Sequence, residues 1–94
     1  MDTSEDRIQR LLDQADIEGL LAAGAPADEY ATEATMISRT MMRLRSDSAT
    51  GLTIDGIANV IREVWQEMFG PFEPAALAVR EPAFRKIAVR CIGE

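Results

Sequence analysis

Carboxylates and a single phenol are the side chains with which this chain could do chemistry, and they crowd into its first third. Residues 1–33 hold nine acids against Arg7 and Arg10. The densest group is Asp28-Glu29-Tyr30, with Glu33 three positions on. As a surface patch, two carboxylates would accept hydrogen bonds from a partner's arginine, while the phenol adds contact area and a further hydrogen bond. Asp28, Glu29, Tyr30 and Glu33 are therefore the candidate partner-binding residues. The same residues also admit a structural role. Tyr30 would then pack beneath the fold, while Asp28 and Glu29 accept from the free N–H groups of a helix start.

Other chemistries are poorly supplied. Glu63 and Glu67 share a helix face at i, i+4, as do Glu29 and Glu33. Acid–base work needs one carboxyl in a desolvated pocket, and polar faces do not provide that. Glu63 and Glu67 are expected instead to face Arg39 and Arg43 across a helix seam, each exposed pair contributing about 0–1 kcal/mol. Histidine is absent and Cys91 is the one cysteine, which removes Ser-His-Asp and Cys-His catalysis, histidine-bearing zinc sites and disulfide scaffolds. Cys91 falls on an apolar stripe, as a buried small hydrophobe does. No calcium-loop spacing and no glycine-rich phosphate cradle occurs. The sequence implies neither catalytic residues nor a metal or cofactor.

The elements that must position these side chains read as helices. Thr3 or Ser4 caps a first helix whose stripe is Ile8, Leu11, Leu12 and Ala15. Asp16 caps a short turn, Ile17 to Ala23, which Gly24 ends. Ala31 or Thr32 opens a helix to about Arg45, with Ala34, Ile37, Met41 and Leu44 inward and Arg39 and Arg43 outward. Met36 and Met42 lie beside that stripe, where exposed methionine offers adaptable contact area. A polar loop, 46–51, leads to Thr53, the cap of a helix over 54–69 whose stripe is Ile54, Ile57, Ala58, Ile61, Val64, Trp65 and Met68. Gly70-Pro71 stops it. A brief helix from Pro74 to about Val79 follows, and Pro82 starts a last helix to 92 that buries Phe84, Ile87, Ala88 and Cys91. No period-2 alternation of strand length appears. The fold class is all-α, a single domain over 1–94 built as an antiparallel bundle of about four helices with short additional helical turns.

The stretch Gly19-Leu20-Leu21 through Gly24-Ala25-Pro26, Ala27 and Asp28-Glu29-Tyr30 resembles the YugE-like family of small bacterial helical proteins, whose motif reads roughly GL…GAP-x-DEY before a helix. Asp16 matches an aspartate ahead of the motif, Glu33 an acidic helix start, and Phe69-Gly70 the end of a later aromatic helix. The family places an aspartate cap directly after the tyrosine. Ala31 stands there instead, so Thr32 is expected to cap one residue later. The resemblance implies a helical bundle of unknown function and brings no catalytic residues.

Net charge is −6, the wrong sign for a nucleic-acid or anionic-membrane surface. The N-terminus lacks the basic and apolar regions of a signal peptide, and no apolar run nears a membrane span. With one cysteine, a cytoplasmic setting is expected. The reading is a small non-enzymatic module that binds another protein, a basic one if the acidic third steers the encounter. Two alternatives stand beside it: an acidic immunity or inhibitor protein that neutralises a basic toxin or nuclease, and a structural homodimer.

Overall fold

The computed structural model describes residues 5–26, 28–47 and 52–93. It contains four helices, α1 (Glu5–Ala15), α2 (Ala31–Asp47), α3 (Ile54–Met68) and α4 (Pro74–Gly93), and no strand among the described residues. The fold is all-α. Thr3 and Ser4, the expected caps of α1, lie outside the described residues, as do Ala27 and the tip of the loop after α2. No helix is long and apolar enough to cross a membrane among the described residues.

Each helix packs on two neighbours: α1 and α3 both lie against α2 and α4. Side-chain contacts give the directions. Asp55 meets Arg85 and Arg62 meets Glu81, so α3 and α4 run oppositely. Glu18 meets Arg80, and Arg7 donates to the Arg90 carbonyl at 3.1 Å, so α1 and α4 do too. Tyr30 reaches Asp16 just past the end of α1, while Thr35 reaches Glu5 at its start. The ring is therefore up-down-up-down. One end gathers the 16–30 connection, the start of α2, the end of α3 and the start of α4.

The core fills from apolar stripes at helical spacing. Ile8, Leu11 and Leu12 of α1 meet Ala34, Ile37 and Met41 of α2, and Ile57, Ile61 and Trp65 of α3 meet Phe84, Ile87 and Cys91 of α4, all buried. Thr53 caps α3 as expected, its hydroxyl accepting from Gly56 N–H at 3.0 Å. Three stripe positions are corrected. Ala15 is exposed, Leu44 is 39% exposed and Met68 41%. Leu44 and Met68 have the inward phase but sit near helix ends, where the facing helices no longer close over them, and Ala15 lines a groove on the α1–α4 seam.

α2 begins at Ala31, one of its two expected starts, with the Ala34 N–H bonding the Tyr30 carbonyl at 3.0 Å, so the expected cap Thr32 lies inside the first turn and does not cap. One boundary differs. α4 runs unbroken through Pro82, where a brief helix and a restart were expected. Proline removes one helical hydrogen bond, to the carbonyl four residues back. That carbonyl belongs to Ala78, and both Ala78 and Pro82 are exposed, so the lost bond falls on the solvent side of the helix and not in the core. Packing of Leu77, Phe84 and Ile87 along one inward stripe holds the helix continuous. Pro82→Ala restores the missing bond and should raise stability by about 1–3 kcal/mol, read as a higher urea midpoint with unchanged helicity. A lower midpoint would mean that the ring itself contributes to the fold.

Candidate functional site

The polar side chains converge at the end of the bundle that carries the 16–30 connection. Asp16 ends α1 at φ 41°, a left-handed conformation that aspartate tolerates, and its N–H bonds the Leu12 carbonyl at 2.8 Å. Its carboxylate then accepts from Leu21 N–H at 3.1 Å, Ala22 N–H at 2.9 Å and the Tyr30 hydroxyl at 2.6 Å. The expected turn after Asp16 is thus a run of turns held by that one carboxylate. It closes in a Schellman pattern: Gly24 N–H bonds the Leu21 carbonyl, Ala25 N–H bonds the Leu20 carbonyl, and Gly24 takes φ 100°.

Glu18, two residues on, crosses to the far side of the ring. Its Oε2 accepts from Trp65 Nε1 at 2.8 Å and Arg80 Nε at 2.7 Å, and its Oε1 accepts from Arg80 Nη2 at 2.9 Å. The Arg80 guanidinium lies 4.2 Å above the Phe72 ring and donates to the Ala76 carbonyl at 2.8 Å. Beneath this cluster Tyr30 stacks on Trp65 at 5.9 Å between ring centres, and Phe69 and Phe84 pack around the indole at 5.0 and 6.1 Å.

Electrostatics follow from these contacts. The Tyr30 hydroxyl, donating to Asp16, holds that carboxyl below the usual range, with backbone N–H groups adding to the effect. Arg80, then Trp65, does the same for Glu18 against the cost of burial. Arg62 lowers Glu81. Burial, reinforced by the Asp16 carboxylate, pushes the Tyr30 phenol up to about 12. Glu33 goes the other way: burial raises its carboxyl, and Glu29 nearby raises it further. Burial and then Asp16 raise Asp13.

The four candidate residues do not share one surface. Tyr30 is 0% exposed and Glu33 4%, whereas Asp28 is exposed and Glu29 half-buried. The phenol expected on a recognition patch is instead a core ring whose hydroxyl is taken by Asp16. The expected pairing of Glu63 and Glu67 with Arg39 and Arg43 is absent among the described residues: Glu63 accepts from Asn59 Nδ2 at 3.4 Å, and both arginines stand exposed. Arg39, Arg43 and Arg45 form no ion pair among the described residues, and between them Met42 is 57% exposed. Sequence spacing signalled the arginines and the methionine but not their isolation. The Glu18–Trp65–Arg80 cluster carried no local signal at all, since its members lie 47 and 62 positions from Glu18. Among the described residues no group of three or more Cys, Asp or Glu side chains is arranged to hold a metal ion. No family model, curated protein or solved structure matches this chain.

Two measurements test this account. Tyr30→Phe deletes the buried hydroxyl and should cost about 1–2 kcal/mol, with a change in the near-ultraviolet signal of the stacked rings; an unchanged stability would remove the hydroxyl from the fold's support. The second is a pH series. On acidification from neutrality Glu33 and Asp13 protonate first, and because the fold favours their neutral forms, stability rises. Below the ordinary carboxylate range Asp16, Glu18 and Glu81 are protonated, and the stability their lowered values contribute above that range is lost. A maximum between pH about 4 and 6 is expected. Glu33→Gln should stabilise at pH 7 and flatten the rise; a loss of stability in that variant contradicts a carboxyl that the fold holds charged at a cost.

Proposed function

We propose that this protein is a non-enzymatic interaction module that docks a partner protein on the outer face of the second half of α2. The observation that carries the reading is the set of exposed arginines, Arg39, Arg43 and Arg45, unpaired among the described residues and flanking the exposed Met42. In a chain of net charge −6, such a stripe is a local reversal of field. Arginine with methionine is the composition that partner surfaces favour, because guanidinium forks bind carboxylates and the thioether adapts to shape. An acidic partner surface is the complement. Asp16 and Glu18, two acids of the first third of the chain, are engaged by internal donors and so leave the arginine stripe as the surface open to a partner.

A second reading keeps the exposed Asp28 and half-buried Glu29 at the start of α2. There the protein would be an acidic inhibitor of a basic toxin or nuclease, in the expected cytoplasmic setting. The two sites lie at opposite ends of one helix, so variants separate them. In a capture from host lysate, an Arg39→Glu/Met42→Asp/Arg43→Glu variant of unchanged helicity should lose a partner that an Asp28→Ala/Glu29→Ala variant keeps. Moderate salt should weaken the complex. Loss only in the second variant transfers the site to Asp28 and Glu29. If both variants behave as the parent and mass rises with concentration, the homodimer is the correct reading.

A further inference from the structure

We propose that the groove along the α1–α4 seam binds a small amphiphilic anion of the class of a medium-chain alkyl carboxylate. The groove encloses about 260 Å³, just under the roughly 300 Å³ at which ligand pockets usually begin, so its guest is of fragment size. Leu11, Ala15, Ala83 and Ile87 make it apolar. Its origin is in the sequence. Ala15 holds an inward phase on α1, yet α4 brings Ala83 to the same seam, and two methyl groups do not fill the space that larger side chains fill elsewhere. That is why Ala15 is exposed although its phase points to the core.

The polar groups on this groove are the Gln14 amide and two cations. Lys86 and Arg90 stand one turn apart on α4, and residues at i, i+4 share a helix face. Lys86 makes no hydrogen bond or ion pair among the described residues, so its ammonium is available to a ligand. Arg90 Nη1 donates to Gln14 Oε1 at 2.6 Å, which holds the guanidinium at the rim. No carboxylate lines the groove among the described residues, against an overall charge of −6. Charge complementarity therefore selects an anionic head, and the apolar walls require a tail that a bare anion lacks. The site lies on α4 and α1, away from the outer face of α2, so its success or failure is independent of the partner surface.

The test is a titration of the full chain with octanoate, followed through the methyl resonances of Leu11 and Ile87, with octylamine and acetate as comparators. Saturable shifts with octanoate, and none with the other two, are expected. Lys86→Gln should weaken octanoate roughly two- to fivefold, the worth of an exposed ion pair. Ala83→Leu, with helicity and thermal midpoint checked, should abolish saturation by occupying the tail's place. The proposal is overturned by an absence of saturable shifts with octanoate, by equal binding of octylamine, or by unchanged affinity in Ala83→Leu. Because the three ligands are compared on the unaltered protein, a variant that failed to fold would leave the test intact.

Discussion

The Glu18 carboxylate is the tie on which the arrangement of this bundle depends. The connection from Asp16 to Tyr30 contains turns and no helix among the described residues, so it has little internal cooperativity and must be anchored from outside. Glu18 does this by accepting from the indole of α3 and, on both oxygens, from the guanidinium of α4. A partly buried charge is stabilising only when its partners offset the lost hydration. Here three donors do so, and the guanidinium also rests on the Phe72 ring. Since Trp65 is itself stacked with Tyr30, Phe69 and Phe84, one carboxylate fixes the ends of three helices relative to one another.

That inward use of acids shapes what the surface can offer. Asp16 and Glu18, close in sequence, are turned toward the phenol, the indole and the guanidinium, while Glu33 is buried in the first turn of α2 at some electrostatic cost. The acidity of the first third of the chain is thus partly spent on structure. Elsewhere the balance tilts: the outer side of α2 carries arginines that form no ion pair among the described residues, and the α1–α4 seam carries Lys86 and Arg90 over apolar walls. Local field, and not net charge, defines where a ligand or partner could settle.

Much of the fold was legible. Ile8, Leu11 and Leu12, or Ile57, Ile61 and Trp65, recur at a period that only a helix turns to one side, and Thr53 announces its helix by a side-chain oxygen placed for the third N–H. Gly24 was legible for a different reason, because closing that turn needs a backbone conformation that glycine adopts without strain. Pro82 misled, since its rule concerns an isolated helix. The packing of Leu77, Phe84 and Ile87 outweighs one lost hydrogen bond when the orphaned carbonyl faces water.

The candidate site was less legible, and Tyr30 shows why. An Asp-Glu-Tyr run reads equally well as a surface patch or as a helix start over a core ring, because sequence gives residue types without their depth. The all-α class, most of the core stripes, the Thr53 cap and the acidic bias were determined by local spacing and composition alone. Tertiary structure decided which polar groups meet: that Glu18 finds Trp65 and Arg80, that Glu33 is enclosed, and that Arg39 and Arg43 are left without Glu63 and Glu67. Those outcomes depend on how four helices rotate and slide against one another, and nothing in the spacing along a single helix encodes that.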